Sequence, residues 1–199
     1  MRALIIVDVQ QDFCDGGALA VPDGDAVVPV INAMMADFDV VVATQDWHPA
    51  DHGSFAVHHA GRTPGELIEL NGLTQVLWPV HCVQGSDGAN WHPELMDGPI
   101  QAVIRKGMNP GVDSYSGFYD NGQRHDTGMA AYLRGRGVTE VTVVGLATDY
   151  CVKFTALDAL AQGFVVRLRA DACRGVELSE GDVAAALHEL AEAGVEVVR

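Results

Sequence analysis

Apolar positions along this chain fall into two patterns that alternate from end to end. Residues 3–9, 39–43, 101–105, 139–146, 164–170 and 195–198 form short apolar runs, most of them rich in valine or isoleucine. Such runs suit strands buried on both faces of a parallel sheet. Between them lie stretches with apolar residues at helical spacing. Residues 25–38 carry Val27, Val30, Ile31, Met34 and Met35 along one stripe, and residues 127–135, 149–162 and 179–193 read as helices too. Gly135 or Gly137, and Gly163, follow two of these stretches as stops, and Ser179 is placed to cap the last one. Strands alternating with helices predict an α/β fold. The expected form is a three-layer, doubly wound sheet of about six mostly parallel strands, in one domain spanning residues 1–199.

Two stretches break the alternation. Residues 44–99 are rich in Gly, Pro, Asp and His and hold six of the eight histidines. An irregular segment this long inside a compact domain is commonly functional. Short helices are expected within it at residues 64–70 and 92–96. Residues 107–124 form a second irregular segment, with aromatics at Tyr115, Phe118 and Tyr119.

Composition narrows the partners. The formal net charge of −15 argues against nucleic acid or an anionic membrane and allows a neutral or cationic small molecule. The apolar run at residues 3–7 is too short for a signal-peptide core, and no run reaches membrane-spanning length. Cys14, Cys82, Cys151 and Cys173 are scattered, without metal-type pairing, as expected of free thiols in a cytoplasmic protein. Of twelve basic residues only Lys106 and Lys153 are lysines, which draws attention to Lys106 beside Arg105.

Ligands of doubly wound sheets bind beyond the carboxyl ends of the strands. Asp8, Asp46, Lys106 and Cys151 each stand at or just past the end of one of the first four predicted strands. Cys151 closes the stretch Val143-Val144-Gly145-Leu146-Ala147-Thr148-Asp149-Tyr150-Cys151, read as a strand end, a tight turn and the first turn of a helix. A helix N-terminus is expected to lower a thiol pKa and supply a thiolate. A carboxylate at Asp8 can take the thiol proton and return it to a leaving group, and Lys106 can orient the pair. Backbone N–H groups of the turn can face an oxyanion. Together the set suits acyl transfer through a thioester. Taken singly, each residue also fits a structural role: a packed thiol, a strand-end carboxylate, a surface lysine.

Asp46 and His48 are two apart, so an extended segment puts both on one face. Carboxylate with imidazole suits zinc, iron(II) or manganese, and His81 can complete the set across the loop. His52 is a weaker candidate, as ligand or as a partner behind one. A histidine-rich loop with no metal is the plainer alternative.

Six stretches in order resemble the nicotinamidase/pyrazinamidase group of isochorismatase-like cysteine hydrolases. They are Val7-Asp8-Val9-Gln10-Gln11-Asp12-Phe13, Thr44-Gln45-Asp46-Trp47-His48-Pro49, Trp78-Pro79-Val80-His81-Cys82-Val83, Arg105-Lys106-Gly107, Asp113-Ser114-Tyr115-Ser116-Gly117-Phe118, and Gly145-Leu146-Ala147-Thr148-Asp149-Tyr150-Cys151-Val152. The resemblance implies an isochorismatase-like hydrolase fold and conversion of nicotinamide to nicotinate and ammonia, feeding NAD salvage, with pyrazinamide as a further substrate. It implies a catalytic triad of Asp8, Lys106 and Cys151. It implies a divalent metal, foremost Zn2+ with Fe2+ or Mn2+ as alternatives, on Asp46, His48 and His81, with His52 less firmly placed. Phe13, Trp78, Tyr115 and Tyr150 would line the substrate pocket. The Leu146–Ala147 peptide would be cis, with the Ala147 and Cys151 N–H groups forming an oxyanion hole. A homo-oligomer is compatible with it. Rivals remain in view: another hydrolase of this fold, such as a carbamoyl amidase or an isochorismatase (which uses no cysteine nucleophile); a metal-storage or structural protein using the histidine loop, which leaves Lys106 and Cys151 unexplained; and a nucleotide- or other small-molecule-binding module without catalysis. For the last, the chain lacks a Gly-x-Gly-x-x-Gly turn after residue 9 and a Gly-Lys-Ser/Thr phosphate loop.

Overall fold

The computed structural model describes all 199 residues, Met1–Arg199. Its elements in chain order are β1 (Arg2–Val7), α1 (Val27–Met34), β2 (Val40–Asp46), β3 (Leu67–Leu70), β4 (Leu73–Val76), β5 (Ala102–Lys106), α2 (Met129–Gly135), β6 (Glu140–Leu146), α3 (Lys153–Ala161), β7 (Val165–Arg174), α4 (Asp182–Ala193) and β8 (Glu196–Val198). Six strands form one sheet in the order β5-β2-β1-β6-β7-β8, and every neighbouring pair is parallel.

Alternation along β1 sorts the two cores. Ala3, Ile5 and Val7 pack with Met129, Leu133, Ala156 and Leu190 from α2, α3 and α4. Leu4 and Ile6 point the other way, onto Val27, Val28 and Ile31 of α1 and the loop residues Phe13, Val21 and Leu95. From Ala3 to Val7 β1 is buried on both faces and has no polar position, which is why its sequence reads as an unbroken run. The result is the expected three-layer arrangement.

The strand order reverses direction between β1 and β6. From β1 the chain steps to β2 and then β5 on one side; from β6 it steps to β7 and β8 on the other. That junction opens a crevice at the carboxyl ends of the two central strands. Gly145 is required there, because a Cβ at that position would lie 2.2 Å from the Val7 carbonyl oxygen.

Local departures have local causes. The expected helix at 64–70 is instead β3, paired antiparallel with β4 through a turn at Asn71 and Gly72, both with positive φ. An Asn-Gly pair is the strongest short hairpin signal, and it outweighs the helical spacing of Leu67 and Leu70. Residues 92–96 form turns rather than a helix; His92 is engaged by Asp25 at 2.9 Å and its other ring nitrogen accepts the Glu94 N–H. Ser179 does not cap α4. Gly181 precedes the helix, and the Ser179 N–H donates to Asp182 instead. The predicted helix at 149–162 begins as a single π-helical turn, Thr148–Val152, before α3.

Candidate active site

Asp46 and Lys106 face each other directly across the β2–β5 register, while Val7, just before Asp8, pairs with Gly145 on β6. The sheet thus brings groups from four adjacent strands to one edge. Asp8 follows β1 with φ of +47°, a left-handed conformation that aspartate tolerates better than most residues. Its Oδ1 accepts the Thr44 hydroxyl at 2.7 Å. Its Oδ2 lies 2.8 Å from Lys106 Nζ and accepts no further hydrogen bond. Lys106, wholly buried, also donates to Asp46 Oδ1 at 2.5 Å and to the Ser114 carbonyl at 2.9 Å, and its Nζ stands 3.4 Å from Cys151 Sγ.

Burial and charge set the protonation of this group. Burial raises the Asp8 carboxyl above its ordinary value in spite of Lys106. Burial would also raise Asp46, but Lys106 and His48 hold it well below the usual carboxylate range. Lys106 is opposed by burial yet kept firmly charged by Asp46 and Asp8. Burial pushes the Cys151 thiol well above its ordinary value, Lys106 counters this, and Asp8 and Asp46 add to the rise. Burial and the two carboxylates thus oppose the thiolate that a helix terminus alone would favour, which gives a base beside Cys151 a part in the attack.

Beside this group Asp46, His48 and His81 offer ligand atoms within 4.8 Å of one another, all three residues buried. Asp46 Oδ2 is 3.5 Å from His48 Nε2 and 3.8 Å from His81 Nε2. Those separations are wider than hydrogen bonds and match edges of a polyhedron with bonds of about 2.0–2.2 Å to a shared metal. Each ring is oriented from behind: His48 Nδ1 donates to the Gly107 carbonyl at 2.9 Å, and His81 Nδ1 to that of Pro79 at 2.8 Å. That leaves both Nε2 lone pairs facing Asp46, the arrangement metal-binding histidines favour. The residues present fit a divalent cation. His52 is not in that group but forms a second one with His48 and Asp113, its ring centroid 4.4 Å from that of His48. Its Nδ1 lies 2.7 Å from the Ser54 hydroxyl and 3.2 Å from the Ser54 N–H, and its buried Nε2 has no hydrogen-bond partner.

A narrow pocket with a volume of about 20 Å³ joins the two groups. Phe13, Trp78, Tyr115 and Tyr150 line it, with Asp46, His81, Ala147 and Cys151. Trp78 meets Tyr150 edge-on at 4.9 Å and donates its Nε1–H to the Tyr115 hydroxyl at 3.2 Å. The Leu146–Ala147 peptide is cis, and the Ala147 N–H donates to no group of the protein.

Several contributors carried no signal of their own in the sequence. Gln10, wholly buried, reads the Asp46 backbone in both directions: its Oε1 accepts the Asp46 N–H at 2.8 Å and its Nε2 donates to the Asp46 carbonyl at 2.9 Å. Asp113, Leu19 and Val176 line the pocket. Thr44 and Gln10 stand inside quoted motifs, so strand register could have found them; Gln75, which donates to Asp113 from the unforeseen hairpin, could not be found that way. A further Cys14–Asp25–His92 group lies on the opposite side of the Phe13 loop, but Asp25 and His92 are closed on each other in a 2.9 Å hydrogen bond.

The family model described as the isochorismatase domain matches residues 2–199. The nicotinamidase of Escherichia coli K12 is 52% identical over 199 residues, covering 97% of this chain and 92% of that protein. A solved nicotinamidase–pyrazinamidase of Acinetobacter baumanii superposes with a TM-score of 0.96 at 46% identity, over 100% of this chain and 95% of that one. The Pyrococcus horikoshii pyrazinamidase solved in complex with zinc gives 0.81 at 38% identity, over 100% and 98%.

Proposed function

The chain belongs to the isochorismatase domain family, and from that premise we propose that it is a nicotinamidase: an amidohydrolase that converts nicotinamide to nicotinate and ammonia, and accepts pyrazinamide. The observation that carries the reading is Lys106 Nζ, within reach of Asp8, Asp46 and Cys151, of which Asp46 and Cys151 line a pocket walled by four aromatic rings. Catalytic roles go to Asp8, Lys106 and Cys151.

The aromatic pocket takes the substrate ring beside Cys151. Asp8 Oδ2, free of other hydrogen bonds, takes the thiol proton as Sγ attacks the carboxamide carbon. The raised pKa of Asp8 suits it to hold that proton for the next step. The unpartnered Ala147 N–H, with that of Cys151, stabilises the oxyanion. Asp8 then gives its proton to the departing amine, which leaves as ammonia. Asp8, again a carboxylate, draws a proton from an attacking water, and the thioester breaks to nicotinate and free thiol. Lys106 stays charged throughout and holds Asp8 in place.

A divalent metal on Asp46, His48 and His81, zinc foremost with iron(II) or manganese as alternatives, would supply an electrophilic contact that fixes the substrate ring. His52, whose buried Nε2 has no hydrogen-bond partner and which stands beside His48, is the further candidate ligand. The four cysteines are unpaired, which fits a reducing compartment, and the proposal places the enzyme in the cytoplasm. No helix is long and apolar enough to cross a membrane.

The test is ammonia release from nicotinamide by the zinc-loaded protein. Turnover in the wild type and its loss in Cys151→Ala support the reading. A wild-type protein inert toward nicotinamide but active on another small amide would replace it with a different amidase of the same fold.

A further inference from the structure

Val176 is a pocket wall that no motif announces. It lies in the loop after β7 and lines the pocket with Ala147, Tyr150 and Cys151. The backbone of that loop is fastened to the nucleophile turn by one carboxylate. Asp149 Oδ1 accepts the Val176 N–H at 2.9 Å, and Oδ2 accepts the Glu177 N–H at 2.8 Å. Asp149 is buried and stands two residues before Cys151 in the same π-helical turn. Hydrogen bonds from two N–H groups to one carboxylate are strong and directional.

The far side of the loop is closed as well. A Cβ at Gly175 would lie 2.1 Å from Val183 Cγ2 on α4 and 3.0 Å from Asp149 Oδ1. Glu177 has φ of +53°, a conformation a non-glycine residue holds only when its surroundings impose it. Asp149 imposes it by taking the Glu177 N–H. The loop that carries Val176 is therefore held between the turn that carries the nucleophile and the first turn of α4.

The aromatic walls cannot retreat from a larger ring, because they brace one another. Trp78, Tyr115 and Tyr150 meet edge-on with centroids 4.9–6.5 Å apart, and Gln75 and Trp78 both donate to the Tyr115 hydroxyl. Val176 is an aliphatic wall whose size can change without breaking a hydrogen bond. We infer that Val176, held by Asp149, sets which ring substituents the pocket admits: Val176 determines specificity, and Asp149 is a positioning residue. The inference rests on the pyridine-carboxamide reading above.

Steady-state kinetics with nicotinamide, 5-methylnicotinamide and 6-methylnicotinamide test it in the zinc-loaded protein. Val176→Ala raises kcat/KM for at least one methylated amide relative to nicotinamide by about tenfold or more, the scale of one methyl group in an apolar pocket. Val176→Leu shifts the same ratio the other way. Asp149→Ala relaxes that ratio with Val176 intact, raising KM for nicotinamide more than it lowers kcat. Asp149→Asn keeps one acceptor oxygen and recovers part of the discrimination. Unchanged ratios in both Val176 variants overturn the inference. So does an Asp149→Ala enzyme whose kcat falls equally on all three substrates. Wild-type turnover of nicotinamide separates the two readings: if it is absent, the functional proposal fails; if it is present and the ratios are flat, only this inference fails.

Discussion

At the scale of single residues, the chemistry is governed by groups that burial would neutralise and neighbours keep charged. Lys106 is an ammonium with no exposure, held by Asp8, Asp46 and the Ser114 carbonyl. Removing one partner of such a group costs about 3–5 kcal/mol, because the remaining charges are left buried. Lys106→Ala should therefore lose both activity and stability, the second read as a lower midpoint in urea unfolding. Asp8 governs pH dependence. Its folded pKa stands above the ordinary 3.8, and the carboxylate is the working form. Activity is thus present above that raised pKa and lost as pH falls through it, so the acid limb of kcat/KM has a midpoint above 3.8. An acid limb at or below the ordinary value would contradict the assignment. Thr44→Val removes a donor that favours the carboxylate, and it should move the limb further up in pH.

At the scale of elements, the sheet was legible and the loops were legible only where they carried a motif. Buried parallel strands have no polar face, so β1, β2 and β6 stood out as apolar runs, and their carboxyl ends pointed to Asp8, Asp46 and Cys151. The β3–β4 hairpin was not foreseen, since each strand is four residues long and half-exposed. Its Asn71-Gly72 turn was the available signal. Asp149 and Val176 act through a backbone contact 27 residues distant, which no local pattern encodes. The thiolate expectation followed from the helix terminus alone, without the burial and the two carboxylates that oppose it. One short element makes a prediction of its own. Gly107 follows β5 with φ of +66°, and a Cβ there would lie 2.4 Å from His48 Cε1. Gly107→Ala should displace the ring and reduce bound zinc, measured as metal per chain after dialysis, in a protein that still gives a cooperative unfolding transition.

At the scale of the whole molecule, four adjacent strands deliver the two halves of the site. β1 and β6 supply the carboxylate and the thiol; β2, β5 and the long loop after β2 supply the metal cluster and the lysine that joins them. Metal binding should therefore be felt throughout the fold. A cation held only by the folded state at a hundred times its Kd stabilises by about 2.7 kcal/mol. Chelation should lower Tm and abolish ammonia release, and zinc should restore both. Unchanged Tm and activity after verified metal removal would contradict the metal assignment. The covalent intermediate is the central claim, and it can be read directly by acid-quenched mass spectrometry of the protein during nicotinamide turnover. The account predicts a nicotinoyl group on the peptide that contains Cys151, absent from Cys151→Ala together with turnover. Sustained ammonia release from Cys151→Ala, with no acyl group on the chain, would contradict it.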